Sequence, residues 1–533
     1  MASIAELSQL LKHAEIIGDP CVEVSGLSCD SRQVKPGDLF VCVTGFQSDG
    51  HAFAADAVAK GAKALVVEHI PESVANSGIT FIKTNKARRA LAILAAHFFG
   101  NPAQKLLNIG ITGTNGKTTT SYLVEAVLKA AGYDPGMLGT IEAHVAGEVQ
   151  KLSNTTPGSF DLHKMFAQMV EAGQDSVVME VSSHAIALDR VYGIPYDIAV
   201  FTNLTQDHLD FHGTMENYFQ AKAKLFTRLG VYGERAVGPF AVINLDDPYS
   251  ERLIGLIKDR VPVITYGTSH KADVRAFNVV AGPSGLSFTL ETRVGERDVN
   301  LQLSGLFNLH NALAAVAVGM ALRIGLDCVV KALESVAAVP GRFQLVRMGQ
   351  SFTVIVDYAH TPDGLEHLLD SARLITTGRL CLVFGCGGDR DKGKRPIMGR
   401  LAVEKADKVY ITTDNPRSEA PESIVKQILS GISTANMEHV EIIYDRAEAI
   451  EKAISNAKPG DTVVIAGKGH ETYQKFGDRT THFDDVEQAK KALSKSALQS
   501  GALDTLTTSR IRMQTAWNRR ALDHSRYVIG SAL

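Results

Sequence analysis

Cysteine is scarce in this chain. Six Cys residues, at positions 21, 29, 42, 328, 381 and 386, are spread over 533 residues, too few and too scattered to staple a chain of this size with disulfides. Reduced thiols are expected. Cys381 and Cys386 have no second pair nearby, which argues against a zinc site and for burial at a strand end. No apolar run approaches the roughly 18 residues that a membrane span needs. The opening stretch MASIAELSQLLKHAEII shows no basic segment followed by an apolar one, so no export signal is read there and a cytoplasmic protein is expected. Charge of one sign is missing too. With 55 Lys and Arg against 58 Asp and Glu, the net charge is −3, which excludes the broad phosphate neutralisation on which nucleic-acid binding depends. Any phosphate recognition must be local.

What is present is ordinary globular material, 45% hydrophobic and 21% charged, in a length that predicts roughly three or four domains. Segments that read as strand then helix alternate over most of the chain, the pattern of parallel sheets covered by helices, so the fold class is α/β. An early unit holds GDLFVCVTG, AKALVVE and the helical ARRALAILAAHFFG, and ends near Asn101-Pro102. A central region follows with strands in KLLNIGITG, SVVMEV, DIAVFTNL and FAVINL, and breaks at Val339-Pro340-Gly341-Arg342. Hairpin material, FNVVAGPSGLSFTLETRV and DVNLQLSG, predicts a small antiparallel addition to it. The third region carries FTVIVDYA, RLCLVFGCGG, ADKVYITTD and DTVVIAGKG and closes near Ser494. Residues 496–533 differ: Arg510, Arg512, Arg519, Arg520 and Arg526 face only Asp504 and Asp523, and the single Trp of the chain is Trp517, so a basic extension is read there.

The strongest local signal is Gly113-Thr114-Asn115-Gly116-Lys117-Thr118, between the strand LLNIGIT and the helix KTTTSYLVEAVLKAAG. Glycines allow a tight turn that gathers N–H groups around phosphate oxygens, and the helix N-terminus adds partial positive charge. Lys117 is expected to neutralise the β and γ phosphates of ATP and the Thr118 hydroxyl to ligate Mg²⁺. The usual spacing would put a glycine at 111, where this chain has Ile111, so the loop is a shortened variant.

Downstream, SVVMEV brings Glu180 to a strand end ahead of Ser182, Ser183 and His184, and DIAVFTNL leads to Thr205, Asp207 and His208. Ligands of parallel sheets bind outside such carboxyl ends, so these residues are expected to converge beside the phosphate loop, with Glu180 and His208 able to hold a second divalent ion. The plainer alternative makes Glu180 a helix cap and His208 a packed side chain. His208 and His212 stand four apart, as zinc ligands on one helix face would, but the intervening Leu-Asp-Phe lacks the Glu that a metalloprotease uses as base. Lys222, in YFQAKAKLF, is on these grounds no better a candidate than Lys224.

GTNGKTTT, NTTP, MEVSSHA, NLTQDHLDFHGTMENYFQAKAKLF, NLDDP, LFNLHNALAA, PGRFQ, VDYAHTPD, FGCGGDRDKGKRP, DNPR and AGKGHE, in this order over about residues 25–490, resemble the Mur ligase superfamily. The resemblance implies an N-terminal UDP-binding domain (1–103), a central P-loop ATP-binding ligase domain (104–340), a C-terminal Rossmann-like amino-acid-binding domain (341–495) and the extension 496–533. It implies a monomer that uses ATP and Mg²⁺ to join meso-2,6-diaminopimelate to UDP-N-acetylmuramoyl-L-alanyl-D-glutamate through an acyl phosphate. Lys117, Glu180, His208 and Lys222 match the catalytic positions. Thr118, Glu180, His208 and Lys222 match metal positions, and Lys222 matches the family's carbamylated lysine, a modification that turns a cation into an anionic oxygen donor suited to Mg²⁺.

Gly113, Thr114, Asn115, Gly116, Lys117, Thr118, Thr119, Asn244, Asn308, Arg342 and Asp357 match ATP positions. Cys29, Ser31, Phe46, Gln47 and Ser48 match UDP contacts, and Asn154, Thr155, Thr156, Ser182 and Arg190 match contacts to the rest of that substrate. For the amino acid the matches are Arg390, Asp414, Asn415, Pro416, Arg417, Gly467 and Glu471. A second carboxylate at the far end of diaminopimelate asks for a fixed cation, and the Arg417 guanidinium can grip it bidentately. Lysine-adding members usually lack this arginine. A folate polyglutamylating ligase is disfavoured by the N-terminal unit with DSR and GDLF, and a non-catalytic interaction protein by the intact catalytic set.

Overall fold

A computed structural model of the chain describes residues 1–45, 48–232 and 237–499. Phe46, Gln47 and the basic extension from residue 500 onward, Trp517 included, lie outside the described residues. Two compact units are formed. The first comprises Met1–Val280, Gly285–Gln302 and Leu306–Ala337, and the second Ala281–Ser284, Leu303–Gly305 and the chain from Ala338 onward.

The first unit holds two large sheets. In the N-terminal one the strands lie in the order Glu15–Ile17, Thr80–Lys83, Ala64–Val67, Asp38–Val41 and Gly26–Ser28, parallel except for the first pair. The second has eleven strands. Its heart is parallel: Pro135–Leu138, Ser176–Glu180, Leu107–Thr112, Ile198–Phe201, Phe240–Asn244 and Val263–Gly267, side by side. These runs are apolar at nearly every position because both faces are covered. On one face Val177, Met179, Phe201 and Ile243 pack with Phe166, Phe219 and Phe226 in a single core. The antiparallel material expected from the hairpin sequence continues this sheet: Tyr266 and Gly267 pair in parallel with Val274 and Arg275, and Gly285–Thr292 pairs antiparallel with Gly295–Leu301.

From Leu107–Thr112 the chain first builds outward on one side of the sheet, returns to Ser176–Glu180, and then crosses to Ile198–Phe201 on the other side. The order therefore reverses at Leu107–Thr112, and in such sheets a crevice opens at the carboxyl ends of the strands flanking the reversal. That places the loop beginning at Gly113 where the topology makes room for a ligand.

The second unit carries six strands in the order Gln344–Leu345, Thr353–Asp357, Thr462–Ala466, Leu380–Phe384, Lys408–Ile411 and Val440–Ile442, antiparallel only at the first pair. A short hairpin, Tyr473–Phe476 with Arg479–His482, precedes the last helix among the described residues, Asp485–Gln499, which runs past the expected end at Ser494. That helix is anchored by a fully buried ion pair of Arg446 with Asp485 at 2.7 Å.

Candidate active site

The phosphate loop takes the expected strand-to-helix form. Gly113 has φ 153° and Gly116 φ 83°. A Cβ at Gly113 would stand 1.8 Å from Thr202 Oγ1, and one at Gly116 2.4 Å from Asn311 Oδ1, so both positions exclude side chains by space as well as by backbone conformation. The loop is pinned by the residues after Ile198–Phe201: Thr114 N–H donates to Asn203 O (2.9 Å), Asn115 N–H to Asn203 Oδ1 (2.9 Å), and Thr202 Oγ1 to Asn115 O (2.6 Å). Lys117–Ala130 forms the helix, with Thr118 and Thr119 buried in its first turn. Lys117 Nζ folds back over the loop and donates to Gly113 O (3.0 Å) and Thr114 O (2.8 Å).

Structure separates Lys222 from Lys224. Both lie on the helix Met215–Thr227, but Lys224 is exposed while Lys222 is buried, its Nζ donating to Gly113 O at 2.7 Å. Lys117 and Lys222 thus meet at one carbonyl oxygen. Burial, with the Lys117 charge adding to it and Asp207 opposing it, pushes the Lys222 amine well below its ordinary pKa, a shift toward the neutral form. Tyr218, one turn earlier, has its hydroxyl 3.2 Å from Thr114 Oγ1 and its ring 4.6 Å from Lys222 Nζ.

Glu180 is fully buried at the end of its strand, opposite Ile111. It does not cap the helix that follows; Ser182 does, by accepting from Ala185 N–H. Glu180 accepts from Thr140 N–H (2.7 Å) and Thr140 Oγ1 (2.9 Å). His208 lies seven residues beyond the end of the strand Ile198–Phe201, at the left-handed start (φ 54°) of the one-turn helix Leu209–His212. Its ring sits 4.8 Å from that of His184. Burial lowers its pKa, with Asp207, 3.4 Å from Nε2, opposing that shift and the Lys117 charge adding to it. The shift is toward the neutral imidazole, the form that ligates a cation.

His208 lies outside the helix Leu209–His212 as its N-cap, so the two histidines are not a pair presented by one helix. His212 is buried, bonds Ser183 Oγ at 2.9 Å and is driven to a pKa of about 4 chiefly by burial. Among the described residues, the His, Cys, Asp and Glu trio close enough to share an ion is Asp49, His51 and His69. There His51 already engages Asp49 through Nδ1 and Glu68 N–H through Nε2. Of the expected metal residues, the Glu180 carboxylate and the Thr118 hydroxyl offer the oxygen donors that a hard cation takes, while His208 offers an imidazole and Lys222 an amine that becomes an oxygen donor only if carbamylated.

Around the Glu180 end the sequence-predicted substrate residues come together. Thr155 Oγ1 is 3.1 Å from Thr140 Oγ1, Thr156 Oγ1 donates to Glu180 O (2.8 Å) and accepts from Ser182 N–H (3.0 Å), and Arg190 Nη1 donates to Thr156 O (2.9 Å). Asn154 is exposed. Cys29 and Ser31 follow the strand Gly26–Ser28, and Ser31 O accepts from Lys60 Nζ (2.8 Å). Ser48 O accepts from Gly45 N–H (2.8 Å). Asn244 Nδ2 donates to Thr202 O (2.8 Å), and Asn308 Oδ1 accepts from Asn311 Nδ2 (3.0 Å), so both border the residues that pin the loop.

In the second unit, Asp357 ends its strand and accepts from Phe343 N–H (2.6 Å) and Ala359 N–H (2.7 Å), while the Arg342 guanidinium lies 4.8 Å from the Tyr358 ring centroid. Gly467 follows the strand Thr462–Ala466, its N–H on Asp357 O (3.0 Å). Arg417 does not start a helix; the next one begins at Pro421, four residues on. It is left-handed (φ 52°), bridges to Phe476, and its Nη1 donates to Gly388 O (2.8 Å). Asp414 Oδ1 accepts from Asn415 N–H (2.6 Å), Pro416 O from Glu419 N–H (3.0 Å), and Asn415 Nδ2 donates to Glu471 Oε2 (2.8 Å). Arg390 is exposed. Thr140, Tyr218 and Lys468 were not anticipated from sequence, whereas His184 was among the residues expected to converge beside the loop.

Comparison with known proteins gives the family. The Mur ligase family catalytic domain matches residues 23–99, the Mur ligase middle domain 111–319, and the Mur ligase glutamate ligase domain 341–469. A UDP-N-acetylmuramoyl-L-alanyl-D-glutamate--2,6-diaminopimelate ligase of Bacillus licheniformis is 46% identical over 492 residues, 92% of this chain and 99% of that one. The enzyme of the same name from Solibacter usitatus is 48% identical over 473 residues, 88% of this chain and 94% of that one. The chain belongs to the Mur ligase family.

A solved structure of a UDP-N-acetylmuramoyl-L-alanyl-D-glutamate--2,6-diaminopimelate ligase aligns with TM-score 0.66 at 33% identity, covering 93% of this chain and 99% of that one. The MurF ligase of Thermotoga maritima in complex with ADP shares the fold, with TM-score 0.60 at 20% identity over 90% of this chain and 99% of that one.

Proposed function

We propose that this chain is an ATP-dependent ligase that joins meso-2,6-diaminopimelate to UDP-N-acetylmuramoyl-L-alanyl-D-glutamate, acting in the cytoplasm as a monomer, with its domains divided as 1–103, 104–340 and 341–495. No described helix is long and apolar enough to cross a membrane. The observation that carries the reading is the meeting of Lys117 and Lys222 at the Gly113 carbonyl beneath a glycine loop.

A free carboxylate is a poor electrophile, so the substrate carboxylate first attacks the γ-phosphate of ATP, giving an acyl phosphate and ADP. The loop N–H groups and Lys117 hold the phosphate charge, and most of the rate comes from this fixed electrostatic arrangement. Thr118, Glu180, His208 and Lys222 as its carbamate would hold Mg²⁺, which supplies further charge neutralisation at the transferring phosphoryl group. The neutral amine, toward which burial shifts Lys222, is the form that adds to carbon dioxide. Thr155, Thr156, Ser182 and Arg190 orient the nucleotide-linked peptide. Arg417 grips the distal carboxylate of diaminopimelate and Glu471 receives its distal ammonium. The amine at the other end, deprotonated, then attacks the acyl carbon, and the tetrahedral intermediate collapses to amide and phosphate.

Purified full-length protein with ATP, Mg²⁺, bicarbonate and UDP-N-acetylmuramoyl-L-alanyl-D-glutamate should release phosphate on addition of diaminopimelate and form a product heavier by one diaminopimelate residue. Equal turnover with L-lysine would overturn the choice of amino acid.

A further inference from the structure

Lys468 lies just after Gly467 in the second unit, and its side chain is wholly buried. Its Nζ donates to Glu471 Oε2 (3.1 Å) and to Asn415 Oδ1 (3.2 Å). Asn415 is itself a hub. Nδ2 donates to the same Glu471 oxygen (2.8 Å), Oδ1 also accepts from Lys475 N–H (3.0 Å), and its main-chain oxygen accepts from Arg417 Nη1 (3.4 Å). One immobile ammonium therefore fixes an acid, and through Asn415 connects that acid to a cation.

We infer that Lys468 is a positioning residue for the amino-acid substrate, holding Glu471 and Asn415 so that the ammonium and carboxylate at the distal end of a diamino diacid are read together. The inference rests on the roles proposed above for Arg417 and Glu471. Both Lys468 and Asn415 donate to Oε2, so the substrate ammonium is received at Oε1. A buried ammonium persists only opposite a carboxylate, and here the carboxylate belongs to the binding site. Rigid placement of Glu471 and Asn415 before the ligand arrives removes ordering cost from binding, which appears in affinity for that ligand alone. The Tyr473 ring, 5.3 Å from Nζ, closes the remaining side of the ammonium.

The test is a kinetic cycle in the full-length chain. Lys468→Met should raise the KM for diaminopimelate about tenfold or more, because it takes the buried charge away from Glu471 and leaves that acid and Asn415 Oδ1 only the Asn415 Nδ2 and Lys475 N–H donors, while the KM for ATP stays within about twofold. In a Glu471→Gln background the same change should add less than about threefold, since residues that act as a unit are not additive. If Lys468→Met does not fold, Lys468→Gln, which keeps a donor without the charge, is read in its place with the same split expected.

An equal effect in both backgrounds, a parallel rise in every KM, or a loss confined to kcat overturns the inference. Absence of diaminopimelate-dependent turnover in the unaltered protein defeats the substrate assignment instead, before Lys468 is touched.

Discussion

Replacing Lys222 by Met separates a functional lysine from a structural one. Both Lys222 Nζ and Lys117 Nζ lie within 3.0 Å of Gly113 O, hence within about 6 Å of each other. Two full charges at that distance repel by about 3 kcal/mol at an effective dielectric near 20. The bond from Lys222 to Gly113 O contributes about 1 kcal/mol net, and Lys117 still serves that oxygen after the change. Met fills the space with little strain. The ligand-free variant should therefore lose no more than about 1 kcal/mol of unfolding free energy, and should gain up to about 2 kcal/mol if Lys222 is charged in the native state. Turnover should nevertheless drop at least about 100-fold, the scale on which removing one transition-state electrostatic partner acts. Urea unfolding and phosphate release with bicarbonate present give the two readings. A variant that loses more than about 3 kcal/mol, as breaking a buried ion pair does, or that turns over normally, would refute the reasoning.

Three further perturbations address other parts of the site. Gly116→Ala puts a Cβ 2.4 Å from Asn311 Oδ1 at a residue with φ 83°; it should cost about 1–3 kcal/mol of local strain and weaken ATP binding by calorimetry, so an unchanged Kd counts against the loop assignment. Arg417→Ala should lower kcat/KM for diaminopimelate about 10- to 100-fold, as expected for a lost charge-assisted pair, and erase preference over lysine; an enzyme that still discriminates would remove Arg417 from specificity.

His144 bonds Glu125 Oε1 (2.6 Å) and Glu142 Oε1 (3.1 Å), and chiefly the Glu125 bond raises its pKa above 6.5. A raised folded pKa means stability fully present below about pH 6.5 and lost as pH climbs through the folded value. The stability advantage of the native protein over His144→Gln should thus be largest near pH 6 and shrink toward about pH 9; an advantage growing with pH contradicts the imidazolium clamp.

Much of the fold is legible because its strands are apolar runs of parallel-sheet length: LNIGIT, SVVME, IAVF and FAVIN all became buried neighbours. Register across the sheet was not legible, and with it the contact of Thr140 with Glu180, which joins residues 40 positions apart. The hairpin strands were legible as antiparallel, but their attachment to the parallel sheet runs through two residue pairs, Tyr266 with Val274 and Gly267 with Arg275. Lys222 could have been chosen over Lys224 on spacing. Tyr218, Lys222, Leu225 and Phe226 fall on one buried stripe of their helix, as i, i+4, i+7 and i+8, so Lys222 interrupts the apolar face and Lys224 decorates the other. Lys468 gives no such signal, because its partners Asn415 and Glu471 come from different loops.

The buried cations of the described residues sharpen the case for Lys222. Arg395 pairs with Glu419 at 2.9 Å, Arg446 with Asp485 at 2.7 Å and Lys468 with Glu471 at 3.1 Å. Each follows the rule that a charge removed from water needs an opposite charge. Lys222, equally buried, hydrogen-bonds a carbonyl oxygen and has no ion-pair contact of that kind, only the opposed charges of Lys117 and Asp207 acting on it. Packing alone gives no reason to retain an amine there, since an aliphatic side chain would fill the same stripe of the helix without desolvating a charge. A chemical role supplies the reason. In the proposed role the amine, shifted by burial toward its neutral form, would add to carbon dioxide, and the carbamate would set a negative oxygen donor beside the Lys117 ammonium, pairing that cation with an opposite charge as the other three buried cations are paired.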